Sequence, residues 1–166
     1  MEVRDEMVVM AEPQWQRLWE KSAIGRRLKT GGLHLLPEEV IFCYHHRHQS
    51  LPNPDWILEN LNKDIDLEAR FLILESLRVP GNLIVLLNHE HSSKWVSESG
   101  SWALRWHKES HPDSSEPTAE IRWHYSSESI NWTELISWTN AVIKNDRIPE
   151  VLVIDDEGSI VTYELS

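Results

Sequence analysis

The change of hydrophobic pattern at residues 79–81 (Val-Pro-Gly) constrains the fold of this chain more than any other feature of its sequence. Over residues 66–78, apolar side chains recur at the spacing of one helical face. Proline and glycine end such a helix. Residues 82–88 then form a nearly continuous apolar run, which is typical of a strand covered on both faces. We therefore expect an α/β fold with two domains: a small α+β domain over residues 1–79, and an α/β domain with a mixed sheet over residues 80–166.

Turn residues and helix signals place the other elements. Proline and two acids favour a helix start at Pro37, because proline suits the first helical position and acids suit the positive end of the helix dipole. Asn131 is suited to cap another helix, with Glu134 in the capping-box position. The second domain is further predicted to contain strands at 101–106 and 119–125, a polar loop at 108–118, and a terminal hairpin of strands 150–155 and 159–165.

Acidic residues outnumber basic residues in this chain. Its 166 residues include 27 Asp and Glu against 16 Lys and Arg, which gives a net charge of -11. Nucleic-acid binding draws most of its affinity from Lys and Arg side chains that neutralise phosphates. The composition therefore argues against a protein that binds RNA by itself, and a more basic partner would have to supply many of the phosphate contacts.

The sequence predicts a cytoplasmic protein. Its first seven residues hold acids and no apolar run, and no segment approaches the ~18 apolar residues of a membrane span. The single cysteine, Cys43, forms no disulfide within the chain and suits a reducing compartment. We expect no membrane segment.

The last predicted strand alternates between two kinds of side chain. Val161, Tyr163 and Leu165 face one way along it, and no proline or lysine interrupts the strand. An apolar edge strand without such residues is a template for pairing with another chain. The strand therefore predicts an oligomer that associates through this edge, and the alternative is an ordinary strand in the middle of the sheet.

Two pairs of segments resemble the archaeal tRNA-splicing endonuclease family. The first pair, 33–42 and 67–81, is similar to the N-terminal domain of that family and to the helix that ends in Leu-Arg-x-x-Gly. The second pair, 133–136 and 151–164, is similar to the last helix and the terminal hairpin. The order and spacing agree over most of the chain. The resemblance implies a nuclease-like second domain, an oligomer acting on intron-containing precursor tRNA at bulge-helix-bulge sites, and no cofactor or metal.

Family members cut RNA with a Tyr as base, a His as acid and a Lys that stabilises the transition state. The resemblance places Ser99 at the Tyr position and Thr118 at the His position, and neither side chain suits proton transfer near neutral pH. For the Lys, ungapped counting gives Arg147 and a looser match gives Lys144. A shifted alignment would make His111 the acid. The sequence thus predicts a degenerate catalytic site, and an active site with relocated residues is the alternative.

The resemblance also gives a role to the acidic triplet Asp155, Asp156 and Glu157. In tetramers of the family, an acidic loop at this place inserts into a basic cleft of the neighbouring catalytic subunit. Contacts between desolvated acids and bases set partner choice and register. A solvated hairpin turn is the alternative interpretation of the triplet.

Two histidine clusters raise the question of a metal site. One comprises His45, His46 and His48, and the other lies at 89–91. Histidines near a helix C-terminus are also favoured by the helix dipole, and no spacing typical of a zinc site supports a metal. We predict no metal, and we interpret Cys43 as a buried, unreactive thiol.

The sequence as a whole predicts the structural subunit of a tRNA-splicing endonuclease. Its expected partners are a catalytic, paralogous subunit of the endonuclease and precursor tRNA as the substrate of the complex. One alternative is an active tRNA-intron endonuclease that yields a 2′,3′-cyclic phosphate. The other is an acidic protein-interaction module outside RNA processing, which the net charge would permit.

Overall fold

The computed structural model describes residues 1–89 and 95–166, which form two compact units, Met1–Pro80 and Gly81–Ser166. The division falls one residue beyond the position given by the sequence pattern. Helices and sheets mix in the chain, so the predicted α/β fold class is confirmed. None of the helices formed by the described residues is long and apolar enough to cross a membrane.

Unit 1, Met1–Pro80, combines four helices with a small antiparallel sheet. The sheet has the strand order β1-β2-β4-β3. The elements are β1 (Glu2–Arg4), β2 (Met7–Met10), α1 (Gln14–Ser22), β3 (Arg26–Arg27), β4 (Leu33–Leu35), α2 (Pro37–His46), α3 (Trp56–Lys63) and α4 (Leu67–Arg78).

The two acids at the start of α2 are buried, although the sequence suggested only a favourable position near the helix dipole. Glu39 accepts hydrogen bonds from the Leu36 amide at 2.9 Å and from the Gly25 amide at 3.0 Å. A side chain at Gly25 would come within 2.7 Å of the His34 carbonyl oxygen, and its φ of 78° also favours glycine. Glu39 thereby joins the helix start to the preceding β3–β4 region.

Buried charges join the helices of unit 1. The Glu38 carboxylate lies 3.3 Å from Arg70 of α4, and burial raises the pKa of Glu38 although Arg70 opposes this shift. Arg78, at the end of α4, donates to the Ser22 carbonyl at 2.8 Å and stacks on the Phe42 ring. Burial lowers the pKa of Arg78 to about 10. Removal of one partner would leave the other charge buried and uncompensated, which would destabilise the unit.

In the described residues of unit 2, Gly81–Ser166, a five-stranded mixed sheet has the order β5-β6-β7-β8-β9. The β7–β8 pair is parallel, and the other neighbouring pairs of these strands run antiparallel. A parallel pair needs a crossover, and one helix provides it. The elements are β5 (Leu83–Leu86), β6 (Ala103–Trp106), β7 (Ala119–Tyr125), α5 (Trp132–Lys144), β8 (Ile148–Ile154) and β9 (Ile160–Glu164).

Helix α5 packs on one face of this sheet. Its buried stripe, Leu135, Trp138 and Val142, contacts Val151 of β8, as expected for an amphipathic helix over a sheet. The predicted cap is confirmed, because the Asn131 side chain accepts a hydrogen bond from the Glu134 amide at 3.1 Å. The Glu134 carboxylate points instead towards Arg122, at 3.7 Å, so the capping box is not completed.

Candidate functional site

A buried carboxylate, Glu120 of β7, organises the interior of unit 2. Its side chain is inaccessible to solvent and accepts hydrogen bonds from Arg147 at 2.9 Å, from the Ser97 amide at 2.8 Å and from the Ser101 hydroxyl at 3.4 Å. The Arg147 guanidinium also donates to the Trp95 carbonyl. The pair therefore ties the segment before β6 to β7 and to the turn before β8.

The polar row continues along β7 under α5. The Arg122 guanidinium lies 5.3 Å from the centre of the Trp138 ring and donates from Nε to His124 Nε2 at 3.0 Å. Since His124 Nε2 accepts this bond, its proton is on Nδ1, which lies 3.2 Å from a Glu128 carboxylate oxygen. The His124 ring therefore lies between an arginine and a glutamate.

Each of the three arginines of unit 2 faces a carboxylate. Arg147 pairs with Glu120, Arg122 with Glu134, and Arg105 with Glu150 on the other face of the sheet. Burial raises the pKa of the Glu150 carboxyl, although the Arg105 charge opposes this shift. These charges stabilise one another, and the two arginines whose partner carboxylates are buried, Arg105 and Arg147, present little free guanidinium to a substrate phosphate.

The structure separates the two candidates for the family lysine. Arg147 is enclosed, with 9% of its side chain exposed, and its charge is paired with Glu120. Lys144 is exposed at the last position of α5, where a cation favours the helix dipole. Of the two, only Lys144 presents a free cation at the surface.

The remaining catalytic candidates lie in loops and are partly engaged with the backbone. His111 Nδ1 accepts from the Asp113 amide at 3.1 Å, so it cannot also donate to the Asp113 carboxylate 3.5 Å away. The Thr118 hydroxyl donates to the Arg105 carbonyl at 3.2 Å, and Ser99 is exposed in the turn before Gly100. No hydrogen bond or ion pair joins any two of the described residues His111, Lys144 and Arg147.

The acidic triplet occupies the turn between β8 and β9. The Asp155 carboxylate accepts from the Glu157 amide and from the Ser159 amide, each at 2.9 Å. Gly158, with a φ of 80°, closes the turn through a bond to the Asp155 carbonyl. One acid of the triplet therefore shapes the turn, and the carboxylates of Asp156 and Glu157 project into solvent.

The last strand, β9, is the edge of the sheet and carries an apolar row. Val161 and Tyr163 are each 52% exposed and lie opposite Val153 and Val151 in the β8–β9 register. Residues that lie opposite one another in antiparallel strands share a face of the sheet. The row therefore lies on the face that carries α5, and Leu165 at its end is half-buried against the α5 core.

A second apolar stripe on α5 was missed in the sequence interpretation. Trp132, Ile136 and Ile143 are 67%, 59% and 42% exposed, at positions i, i+4 and i+11 of the helix. Their spacing places them on one helical face, adjacent to the buried stripe. The spacing alone would have found the stripe, but the sequence does not tell which of two apolar stripes faces the core.

Two histidines of the first cluster, His45 and His46, pack against other side chains of unit 1. His46 bonds to Glu75 at 2.5 Å and stacks on Phe42, and His45 packs against Phe71. Among residues 1–89 and 95–166, no group of three His, Cys, Asp or Glu side chains is placed to hold a metal ion. Of the cluster at 89–91, only His89 lies within the described residues, where it is buried.

The cysteine is enclosed, as the sequence interpretation expected. Cys43 lies in the core of unit 1, and burial raises the pKa of its thiol to about 12. A thiol with so high a pKa is almost entirely protonated near neutral pH and is a poor nucleophile.

No family model matches this chain, and no curated protein sequence matches it.

Proposed function

We propose that this chain is the structural, non-catalytic subunit of a cytoplasmic tRNA-splicing endonuclease complex. The observation that carries the proposal is the half-exposed apolar row of the edge strand β9, on the same sheet face as the exposed stripe of α5. The resemblance of two pairs of segments to that endonuclease family supplies the identity of the complex.

The edge strand supports association with another subunit. Its outer backbone groups face away from β8, and its apolar side chains, Val161 and Tyr163, are each 52% exposed. Pairing of a second strand would satisfy those groups and cover the side chains at the same time. A tyrosine at the centre of such a surface is the type of residue that dominates binding energy.

The interior of unit 2 supports a role without catalysis. The residues at the family's base and acid positions, Ser99 and Thr118, have no side chain suited to proton transfer, and Arg147 is paired with a buried carboxylate. A 2′-hydroxyl attack on phosphorus needs a base, an acid and a free positive charge within reach of one another. The catalytic subunit of the complex would supply these groups.

The acidic turn supports docking onto a basic partner. The Asp155 side chain fixes the shape of the turn, and Asp156 and Glu157 extend from it as exposed carboxylates. A basic cleft on the partner would complement this charge and would also set the register of assembly. The net charge of -11 makes a basic partner favourable at long range as well.

A reconstitution experiment tests the proposal. The purified chain is incubated with a bulge-helix-bulge RNA, alone and together with a paralogous subunit that carries the family's Tyr, His and Lys. We expect no cleavage by the chain alone and cleavage by the mixture. Cleavage by the chain alone that His111→Ala abolishes would instead identify an active endonuclease. If the mixture does not cleave the RNA and the two proteins form no complex, the chain would instead be an interaction module outside RNA processing.

Charge reversal in the acidic turn is the matched test of docking. Asp156→Lys combined with Glu157→Lys should prevent assembly with the paralogue, since both carboxylates are exposed and neither maintains the turn. Glu116→Lys combined with Glu109→Lys reverses two exposed acids elsewhere in unit 2 and should leave assembly intact. Equal sedimentation of both variants with the partner would contradict a docking role for the turn.

A further inference from the structure

A cavity of about 500 Å³ in unit 1 is lined by positive charge. Helix α1 contributes Gln14, Arg17 and Lys21, which lie on one helical face at positions i, i+3 and i+7. The residues after α2 contribute Arg47, His48 and Gln49, and α2 itself contributes His46, whose ring is bonded to the Glu75 carboxylate. Two segments about 30 residues apart in sequence therefore bring three cations to one concave surface.

Among the described residues, no acid neutralises these three cations. Arg17 and Lys21 form no ion pair with any residue in the described part of the chain, although the protein holds 27 acids against 16 cations. Arg47 stacks on the Phe42 ring at 5.1 Å and has no carboxylate partner among residues 1–89 and 95–166. Three unneutralised cations around one cavity are unexpected in so acidic a chain.

The local structure of unit 1 accounts for part of this charge, because Lys21 lies in the last turn of α1, where a cation is favoured by the helix dipole, but it does not account for Arg17. Arg17 and Lys21 are four residues apart on α1, where like charges destabilise a helix. The carbonyls at the end of α2 already have donors, because Cys43 accepts from the Arg47 and Gln49 amides and His46 accepts from one Arg47 nitrogen. The side chains of Arg17 and Lys21 are therefore not needed to cap that helix end.

We infer that this cavity binds the phosphodiester backbone of single-stranded RNA. Guanidinium groups match phosphate oxygens in a bidentate geometry, and an ammonium group adds a point charge. The amides of Gln14 and Gln49 and the ring of His48 stand beside the cations as donors and acceptors for ribose hydroxyls and bases. A pocket of this size accommodates a ligand as large as a nucleotide.

The cavity extends along the surface, which favours a strand over a single small anion. A second cavity of about 530 Å³ shares Gln14, His48 and Gln49 with the first. The shared walls continue the groove beyond the cations, as a polymer requires. The second cavity adds the terminal amine of Met1 and the Glu2 carboxylate, which is paired with Arg4. An acidic peptide would also be attracted by the charge, but it offers neither hydroxyls nor bases to the amide and imidazole groups.

The inference assigns RNA contact to unit 1, whereas the proposed function concerns how unit 2 assembles with a catalytic partner. It rests on that proposed function only for the identity of the RNA as precursor tRNA. Binding of RNA by the full chain is measurable without any partner, so an experiment can contradict this inference without contradicting the proposed function, and the reverse. The overall acidity predicts that this binding is weak and visible chiefly at low salt.

Fluorescence anisotropy of the full chain with a labelled oligouridylate of about 12 nucleotides tests the inference, since known single-strand sites span ~4–16 nucleotides. The double variant Arg17→Glu/Lys21→Glu should weaken binding at least about tenfold at low salt. It should also reduce the dependence of log affinity on log salt by about 1.4, or about 0.7 for each phosphate that is no longer neutralised. The neutral variant Arg17→Gln/Lys21→Gln should bind the RNA with an affinity between those of the charge-reversed variant and the unaltered chain.

A matched control separates the cavity from net charge. Lys29→Glu/Lys63→Glu makes the same change of charge at two exposed lysines of unit 1 that do not line the cavity. It should retain the affinity and most of the salt dependence of the unaltered chain. Circular dichroism with the same thermal midpoint for all variants establishes that each one is folded.

Three results would overturn the inference: no RNA binding at low salt, equal weakening by the two charge-reversed variants, or tighter binding of a labelled polyglutamate peptide than of the RNA. If RNA binding follows the prediction while the mixture with the paralogue stays inert, only the proposed function fails. If the mixture cleaves RNA and the cavity variants bind RNA normally, only this inference fails.

Discussion

The two units of this chain manage charge in opposite ways. Unit 1 holds ten Lys and Arg against thirteen Asp and Glu, a net charge of -3, whereas unit 2 holds six against fourteen, a net charge of -8. Among its described residues, unit 1 leaves Arg17, Lys21 and Arg47 without acids around a cavity. Unit 2 pairs each of its three arginines with a glutamate and exposes apolar side chains at a sheet edge instead.

The two proposals together divide recognition between the units of one acidic chain. Phosphates are bound by accessible cations, and these lie around the cavity of unit 1. Protein partners are bound through apolar and aromatic side chains with a charged rim, which describes β9, α5 and the acidic turn of unit 2. The net charge of the whole chain conceals both properties.

The largest expected effect comes from removing the carboxylate at the centre of unit 2. Glu120→Ala leaves Arg147 buried without its acid, which should lower the free energy of unfolding of unit 2 by about 3–5 kcal/mol. Hydrogen exchange resolved on peptides of β7 and β8 measures this loss. Glu116→Ala, at an exposed acid before β7, should change the free energy of unfolding of unit 2 by no more than about 0.5 kcal/mol. Equal protection in both variants would show that the buried pair is dispensable.

The next effect concerns association rather than stability. Tyr163→Ala should weaken assembly of the chain with its partner by about 2 kcal/mol, or roughly 30-fold in Kd, because the exposed ring lies in the middle of the edge strand. Analytical ultracentrifugation measures the Kd. Thr162→Ala alters the neighbouring residue on the opposite sheet face and serves as the control. If both substitutions weaken assembly equally, the apolar row is not the interface.

A smaller effect distinguishes the helix starts of the two units. Asn131→Ala removes the side-chain cap of α5 and should destabilise unit 2 by about 1 kcal/mol. Asp55 holds the corresponding position before α3 of unit 1, where its side chain forms no cap hydrogen bond. Asp55→Ala should therefore lower the free energy of unfolding of unit 1 by only a few tenths of about 1 kcal/mol. Hydrogen exchange of the α5 and α3 peptides compares the two substitutions. A larger loss of protection in α3 than in α5 would contradict the capping role of Asn131.

The smallest effect is a pH dependence of opposite sign in the two units. Burial raises the pKa of Glu150 in the folded state above its ordinary 4.5, so its contribution to stability is present below pH 4.5 and is lost as pH rises through the folded pKa. The hydrogen bond from Arg70 lowers the pKa of Asp64 below its ordinary 3.8, so its contribution is present above that value and is lost as pH falls.

The substitutions Glu150→Gln and Asp64→Asn isolate these two contributions. Relative to the unaltered chain, Glu150→Gln should remove a decline in the stability of unit 2 with rising pH, and Asp64→Asn should remove an increase in that of unit 1. Hydrogen exchange between about pH 3 and pH 7, analysed separately for peptides of each unit, gives both differences. Differences of the same sign would be inconsistent with the two shifts.

Sequence patterns predicted the fold well where the information is local. The strand over 119–125 has the predicted bounds, and the α5 cap depends on residues close together at the start of one helix. The structure also places β9 at the edge, a choice the sequence left open, because strand order depends on pairing between segments distant along the chain.

The candidate site was less predictable because its contacts are non-local. Arg147 was considered as a phosphate ligand, but its buried partner Glu120 lies 27 residues earlier on another strand, with a helix between them. No periodicity in the sequence links two such residues. The cavity cations also come from α1 and from the end of α2, so only the fold brings Arg17 and Arg47 together.

The turn between β8 and β9 has a consequence for binding kinetics. Since the Asp155 carboxylate accepts two backbone amides, the loop already has one shape before any encounter. Ordering a flexible loop on binding has an entropic cost, and a preorganised loop avoids most of it. Loosening this turn at Asp155 would therefore shorten the lifetime of a complex even though the two projecting carboxylates remained in place.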